Sequence, residues 1–361
     1  MRPLLFRLEA ERAHHLATWA ARLAQSGAPG LVGRMFAFEH EALRQTLWGY
    51  DFANPVGLAA GFDKNARLVR FWQRLGFGFA EVGSVSARRS KGNPRPRAFR
   101  LPADEALINR MGLNNDGARR VARRLRRARR RGFPLGVNLA KTHDPTLTGE
   151  AAVEDFRTSF RLLAPLADYV ALNISCPNTA EGKTFEDPNA LDDLLHAVFA
   201  ERAALALTVP VLVKLSPPLS ERFVFDSLFD ELLAVAGAHG VHGFIAANTA
   251  PDRDGLSTPA EHLNAIGPGG LSGAPLERRA TRLVRYLFRK TGGACPIIGT
   301  GGVRSAETAY AKIRAGASLV QLYTGLVYEG PGLVRRIKEG LVALLERDGF
   351  THVGEAVGVD A

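Results

Sequence analysis

Residues Tyr169–Thr179 read YVALNISCPNT, an apolar run of strand length that ends in amides, hydroxyls and one thiol. A short apolar run bounded by polar residues suits a strand buried on both faces, the kind parallel sheets contain. Asn173, Ser175, Cys176 and Asn178 then stand at or just past its carboxyl end. In a parallel α/β barrel that rim is where active sites form.

Outward from this stretch the chain repeats the same alternation. Further apolar runs are PVGLAAG (55–61), FAEVGSV (79–85), LGVNLA (135–140), VLVKLS (211–216), GFIAANT (243–249), IIGTGG (297–302) and LVQLYTG (319–325). Helical patterns lie between or after them, at roughly 65–75, 115–131, 153–166, 189–207, 223–238, 276–291, 305–315 and 331–348. Strand and helix alternating eight times predict an α/β fold of the (β/α)8 TIM-barrel type. A long insertion after the second strand, Ser86–Asn114, is rich in Arg, Pro and Gly and is expected to lay a hairpin and substrate contacts over the barrel mouth.

Residues 1–45 differ from the barrel, which is expected over 46–361. Glu9–Ala24 carries Ala13, Leu16, Ala17, Ala20 and Leu23 at helical spacing with Trp19 near the stripe, and Pro29–Phe38 carries Leu31, Val32, Met35 and Phe36. Two small amphipathic helices ahead of a barrel are either a cap packed on it or an interfacial anchor and tunnel mouth.

Composition narrows the class. With 46% hydrophobic and 23% charged residues, the chain of 361 residues is ordinary for a soluble globular protein. No window approaches the roughly 18 unbroken apolar residues of a spanning helix, and charge interrupts the amino terminus too early for a secretory signal. A cytoplasmic protein is expected. Two cysteines, Cys176 and Cys295, cannot make a disulfide framework and show no metal-ligand spacing; Cys295 reads as a buried structural thiol. The formal charge of +11 is most visible in Arg119–Arg131, RRVARRLRRARRR. Val121, Leu125 and Ala128 give that helix an inner face and leave arginines outside, either as a solvated surface or as an attraction for anionic lipid or nucleic acid. No aromatic platform accompanies it.

Polar residues collect at the carboxyl ends of the apolar runs: Gly61 and Lys64, Ser84, Asn138, Asn173, Lys214, Asn248 and Thr249, Gly301 and Gly302, Tyr323 and Thr324. Buried amides and lysines need partners, and a ligand rich in donors and acceptors would supply them. The late glycines of GTGG and TG lie where barrels commonly hold a phosphate. The nine histidines are scattered, with His14, His15 and His40 outside the barrel, so an organic cofactor is favoured and no metal site is expected.

These motifs resemble the dihydroorotate dehydrogenases. NPVGLAAGFDKN, EVGSV, GNPRPRAFRL, NRMGLNN, GVNLAK, NISCPNT, VKLSPP, ANTAPDR, GGLSGAPL, PIIGTGGV and GASLVQLYTGLVYEGP follow the family's order over essentially the whole chain. The amino-terminal helices and the VYEGP ending are similar to the quinone-using class 2. The resemblance implies FMN, oxidation of dihydroorotate to orotate in de novo pyrimidine (UMP) synthesis, and a membrane quinone as final acceptor. It also implies a monomer held peripherally on the cytoplasmic side of the cell membrane, with residues 1–45 as the membrane and quinone module and no nucleic-acid partner.

Carried onto matching positions, the family pattern sets FMN against Ala60, Gly61, Lys64, Ser84, Asn138, Asn173, Lys214, Gly273, Gly302, Tyr323 and Thr324. Substrate would meet Lys64, Asn109, Asn173, Asn178, Asn248 and Thr249, with Arg110, Met111, Gly112 and Leu113 shaping the wall. Cys176 would be the catalytic base, where the quinone class usually has serine and the soluble class cysteine. Ala247 likewise replaces a frequent hydroxyl residue. Two other readings stay open: an FMN oxidase using fumarate or another soluble acceptor, and a non-catalytic basic barrel that binds membrane or nucleic acid.

Overall fold

A computed structural model of the chain describes residues 6–27, 29–128, 132–175, 185–218, 225 and 227–361. Cys176 and Asn178 lie outside the described residues. The strands are β1 (Gln45–Leu47), β2 (Tyr50–Phe52), β3 (Val56–Leu58), β4 (Phe79–Val85), β5 (Ala98–Leu101), β6 (Ala106–Asn109), β7 (Leu135–Leu139), β8 (Tyr169–Asn173), β9 (Val211–Leu215), β10 (Gly243–Ala246), β11 (Gly270–Gly273), β12 (Ile297–Thr300) and β13 (Leu319–Leu322). The helices are α1 (Ala10–Gly27), α2 (Pro29–Phe36), α3 (Val69–Arg74), α4 (Ala118–Ala128), α5 (Gly149–Leu163), α6 (Pro188–Ala204), α7 (Ser227–Ala238), α8 (Ala260–Ile266), α9 (Glu277–Lys290), α10 (Ala306–Arg314), α11 (Thr324–Glu329) and α12 (Leu333–Arg347).

Eight parallel strands close into a barrel in the order β3-β4-β7-β8-β9-β10-β12-β13, with β13 pairing back on β3. All eight are the apolar runs read from the sequence. Their period of two sorts each strand between two environments. On β8, Val170 and Leu172 face the helices while Tyr169 and Ala171 face the interior, and on β9 Val213 faces out while Leu212 faces in. The interior therefore has an apolar floor of Phe79, Tyr169, Leu212, Ile245, Ile298 and Leu319, and polar residues begin one step higher with Glu81, Lys214 and Gln321.

A hairpin of β1 and β2 stoppers the floor, an element the sequence reading did not contain. Its Phe52 ring lies 5.4 Å from Phe79 and Trp48 lies 5.9 Å from Tyr169. At the opposite end the long insertion forms the expected hairpin, β5 with β6, and β11 joins it as the third strand of an antiparallel sheet. Cys295 is half-buried against the core, and burial pushes its thiol up to about 11.

Helix α1 begins where the Glu9 carboxylate accepts from the N–H groups of Glu11 and Arg12, at 2.9 and 3.1 Å. Its barrel side holds Glu11, Ala13 and Ala21, so only part of the expected stripe packs inward. Leu16, Trp19 and Leu23 are 46, 57 and 53% exposed and turn away from the barrel, as does Met35 of α2. Val32 and Phe36 of α2 pack on the core. No helix among the described residues is long and apolar enough to cross a membrane.

An ion pair fixes α1 in place. Glu11, 3% exposed, meets Arg97 of the insertion at 2.8 Å and the more exposed Arg95 at 3.1 Å. Burial alone would raise the Glu11 carboxyl, but the Arg97 and Arg95 hydrogen bonds and charges outweigh it and hold it at about 2. A depressed folded value below the ordinary 4.5 gives stability that is complete above about pH 4.5 and lost as pH falls toward 2. Removing the carboxylate with Glu11→Ala leaves Arg97 buried with no carboxylate partner among the described residues, at a cost of about 3–5 kcal/mol. Hydrogen exchange of α1 should therefore show protection falling between pH 5 and pH 2.5 in the wild type and already absent at neutral pH in Glu11→Ala; equal protection in both proteins at neutral pH would remove the ion pair as the clamp.

Candidate active site

The interior polar layer is organised by Glu81, a wholly buried carboxylate on β4. It accepts from Asn138 Nδ2 of β7 at 2.9 Å, Tyr169 Oη of β8 at 3.0 Å and Gln321 Nε2 of β13 at 2.9 Å. Lys214 Nζ of β9 stands 3.9 Å away as its counter-ion. Burial and the neighbouring Glu81 charge raise Tyr169 well above the ordinary tyrosine value, so its phenol remains a donor.

An ionised carboxylate can only accept, and that fact sets the polarity of the rim above it. Asn138 turns its amide nitrogen to Glu81 and therefore offers its oxygen to the Ser84 hydroxyl. Ser84 Oγ in turn accepts from Asn173 Nδ2 at 3.0 Å, and Asn173 Oδ1 accepts from Asn248 Nδ2 at 3.0 Å. Asn248 also reaches Ser175, whose hydroxyl donates to the Lys214 carbonyl at 3.0 Å. Thus Ser84, Asn138, Asn173, Lys214 and Asn248 form one connected group across the carboxyl ends of adjacent strands. Thr249 joins through its N–H to Asn248 Oδ1 at 2.9 Å.

A second group lies around the last two barrel strands. Gly302 has φ +74°, and a Cβ there would stand 2.4 Å from Glu277 Cα; Gly273, at φ +110°, would press on the Glu105 carbonyl at 2.4 Å. Only glycine permits that backbone shape and approach. No backbone carbonyl among the described residues takes the N–H of Gly301 or Gly302. Thr324 shares a hydroxyl hydrogen bond of 2.9 Å with Ser272 at the edge of this cradle. Bare amides and hydroxyls of this kind suit an anionic group such as phosphate.

The antiparallel sheet supplies the remaining wall. Asn109 is anchored to the Gly270 carbonyl at 3.2 Å, while Arg110 donates to Ile266 and Pro96 carbonyls and lies over the Phe99 ring at 4.7 Å. Arg110 is thus committed to holding the wall. Asn93 secures the next turn: its side chain donates to the Arg110 carbonyl at 2.9 Å and its N–H to that of Met111 at 3.2 Å, while its own carbonyl accepts from Arg97 Nη1 at 2.9 Å. Lys64 donates to Asn114, and Gly112 and Leu113 take positive φ in this turn. Ala60 and Gly61 follow β3, where Gly61 lies against the Tyr323 ring.

Several contributors escaped the sequence reading. Glu81 was visible as an acid inside the apolar run FAEVGSV, a position that only the barrel interior could satisfy; Tyr169, Gln321 and Ser272 gave no comparable signal. His14, expected outside the barrel, lies with its ring 5.0 Å from Phe62, which is 5.0 Å from Tyr323. Burial, with Lys64 and His15 adding to it, pushes His14 down to about 4.

A parallel barrel with an amide-lined mouth, an interior lysine and a glycine cradle is the layout of an enzyme that holds an organic, phosphate-bearing cofactor. Residues 42–345 match the family described as dihydroorotate dehydrogenase. Curated relatives named dihydroorotate dehydrogenase (quinone) include one from Roseiflexus sp., 49% identical over 99% of this chain and 97% of its own length. Another, from Deinococcus deserti, is 48% identical over 100% and 99%. A solved ligand-free DHODH from Eimeria tenella superposes with a TM-score of 0.85 at 33% identity, covering 97% of this chain and 99% of that one. The same organism's DHODH in complex with ferulenol gives a TM-score of 0.83 at 32% identity, over 97% and 95%. The chain belongs to the dihydroorotate dehydrogenase family.

Replacing Glu81 by alanine should leave the donors of Asn138, Tyr169 and Gln321 without their shared acceptor and lower stability by about 3–5 kcal/mol in urea denaturation. Tyr169→Phe removes one donor and should cost about 1–2 kcal/mol. The reverse order of the two variants would show that Glu81 is not the organising group.

Proposed function

We propose that the rim binds FMN and dihydroorotate side by side, and that the amino-terminal helices meet a membrane quinone. The chain is an oxidoreductase that converts dihydroorotate to orotate with a quinone as final acceptor, a step of pyrimidine biosynthesis. The observation that carries the site reading is the oriented row Asn138–Ser84–Asn173–Asn248, with Lys214 beside it and a glycine cradle at the neighbouring strands.

The residues fit FMN in chemistry. Ser84, Asn138, Asn173 and Lys214 offer donors and a cation to a polar ring, with Ala60, Gly61, Lys64 and Tyr323 at its border, and Gly273, Gly302 and Thr324 accommodate a phosphate. Bound FMN would supply the acceptor for the hydride leaving carbon 6 of dihydroorotate and would relay the electrons to quinone. Lys214 holds positive charge where negative charge develops, stabilised in that role by Glu81. Asn109, Asn173, Asn178, Asn248, Thr249 and Lys64 match the substrate's carboxylate and its alternating C=O and N–H groups, and Arg110, Met111, Gly112 and Leu113 form the wall. Cys176, directly after Ser175 in the chain, takes the proton from carbon 5.

A thiol loses its proton near pH 8.5, far more readily than a hydroxyl. Cys176→Ala should therefore abolish dihydroorotate oxidation while the purified protein stays yellow, and Cys176→Ser should keep a residual rate with its pH profile moved upward. Near-normal turnover by Cys176→Ala would refute Cys176 as the base.

We further infer peripheral attachment of a monomer at the cytoplasmic face of the cell membrane, with residues 1–45 as its membrane and quinone module beside the barrel of 46–361. What supports this is the outward apolar face of α1 and α2, Leu16, Trp19, Leu23 and Met35, which the barrel does not cover. The His14–Phe62–Tyr323 row gives an uncharged aromatic path from α1 to the rim. The triple variant Leu16→Ser, Trp19→Ser, Leu23→Ser should fold normally, since all three are exposed, and keep flavin reduction by dihydroorotate in stopped flow. It should lose most binding to liposomes and most turnover with a long-chain quinone. Full quinone turnover would make the helices a cap only.

A further inference from the structure

The arginine face of α4 takes no part in the site above. Ala118, Val121, Ala122 and Leu125 are buried beneath it, while Arg119, Arg120, Arg123, Arg126 and Arg127 are exposed. None of these five has a carboxylate partner among the described residues. Arginines on two other barrel helices contrast with them: Arg157 and Arg161 on α5 pair with Glu201, and Arg335 and Arg336 on α12 pair with Glu339 and Glu329. On α4, Arg124 is the arginine with an acid partner among the described residues, Asp116 at 2.6 Å, which Arg67 also contacts at 2.7 Å.

This face joins the amino-terminal helices through α3. Arg70 Nη2 donates to the Arg127 carbonyl at 3.1 Å, and Arg74 Nη1 donates to the Gln25 carbonyl of α1 at 3.1 Å. On α1, Arg22 is electrostatically coupled to Arg67, Asp63, Arg124 and Asp116 and borders Trp19 and Leu23 in the helical sequence. The basic surface of α4 thus continues through Arg67, Arg70 and Arg22 into exposed apolar surface. An interfacial bilayer offers both complements at once, anionic headgroups for guanidinium and an acyl boundary for Trp and Leu. A nucleic-acid backbone matches only the first.

We propose that the outer face of α4, with Arg67, Arg70 and Arg22, is a docking surface for anionic phospholipid headgroups that sets how strongly and in which orientation the chain lies on the bilayer. This rests on the peripheral attachment inferred above and adds a lipid selectivity that the apolar face of α1 cannot supply. Each basic residue near an anionic surface contributes about a fivefold gain in partitioning, reduced by salt.

The experiment uses full-length protein, with vesicles of phosphatidylcholine alone and of equal parts phosphatidylcholine and phosphatidylglycerol, in co-sedimentation at low and high salt. The wild type should favour the anionic vesicles by about tenfold or more, with the preference shrinking as salt rises. The variant Arg119→Gln, Arg120→Gln, Arg123→Gln, Arg126→Gln, Arg127→Gln should lose that preference while keeping its melting temperature, its binding to neutral vesicles and dihydroorotate oxidation with a soluble dye. An unchanged preference in this variant, or a wild type indifferent to phosphatidylglycerol, overturns the proposal. So does arginine-dependent retention of duplex DNA by a protein that ignores anionic vesicles. The Leu16→Ser, Trp19→Ser, Leu23→Ser variant separates the two inferences. If it binds neutral vesicles like the wild type, the apolar anchor fails, and a phosphatidylglycerol preference that still depends on the α4 arginines upholds the headgroup surface independently.

Discussion

The Glu81 carboxylate imposes a direction on nearly every polar side chain at the centre of the barrel. It is acceptor-only, wholly buried, and contacted from β7, β8 and β13 with Lys214 of β9 as counter-ion. A buried charge with fewer partners would be costly, so the four groups around it are a condition of its presence. Because Asn138 must give its nitrogen to Glu81, Ser84 meets an oxygen, Asn173 meets the serine oxygen, and Asn248 meets the asparagine oxygen. Amides that could flip freely in isolation are held in one sense. A rim built this way keeps its donor pattern whether or not a ligand is there to enforce it, which is the preorganisation that binding and catalysis both use.

That constraint divides the barrel into three levels with different tasks. The floor is apolar and the β1–β2 hairpin packs its aromatic residues beneath it. The middle level carries the ion pair. The upper level presents amides, hydroxyls and glycine amides to the mouth. The pleat makes this layering possible, since Phe79 and Glu81, Tyr169 and Asn173, or Leu212 and Lys214, are placed on the inner face by period two alone. Charge is thereby kept above the layer whose packing closes the barrel.

Much of this was readable in the sequence, and the exceptions have physical causes. The barrel strands announce themselves because strands buried on both sides must be apolar throughout, and the rim residues because polar groups at the ends of such strands have little else to do. The β1–β2 hairpin and β11 are too short to show a period. Glu81 was in plain view but its partners lie up to 240 residues away, and only closure of the barrel brings Gln321 to it. The helix α1 shows the limit most clearly. Its apolar pattern indicated an amphipathic helix correctly but could not say which face meets the barrel, because the inward anchor is a charged residue, Glu11, whose partner Arg97 lies in the insertion. Hydrophobicity alone would have turned Leu16 and Leu23 inward.

The same ion pair links α1 to the wall that the insertion builds over the barrel mouth. Arg97, which binds Glu11, also passes its backbone carbonyl to the N–H of Arg110, and Arg110 begins the wall proposed to face substrate. Arg97 further donates to the carbonyls of Lys91 and Asn93 at 2.8 and 2.9 Å, and Asn93 in turn supports Arg110 and Met111. The helix that offers the outward apolar face is therefore fastened to the segment proposed to form the substrate wall. Under the proposed function, the aromatic row from His14 through Phe62 to Tyr323 lies between the helix proposed to meet quinone and the rim proposed to hold substrate. An enzyme that exchanges electrons between a polar acid and a lipid-soluble acceptor has to keep those two environments apart while holding one site in reach of both. Here the separation comes from attaching the apolar helix to the barrel by charge, which leaves its apolar residues free to face elsewhere.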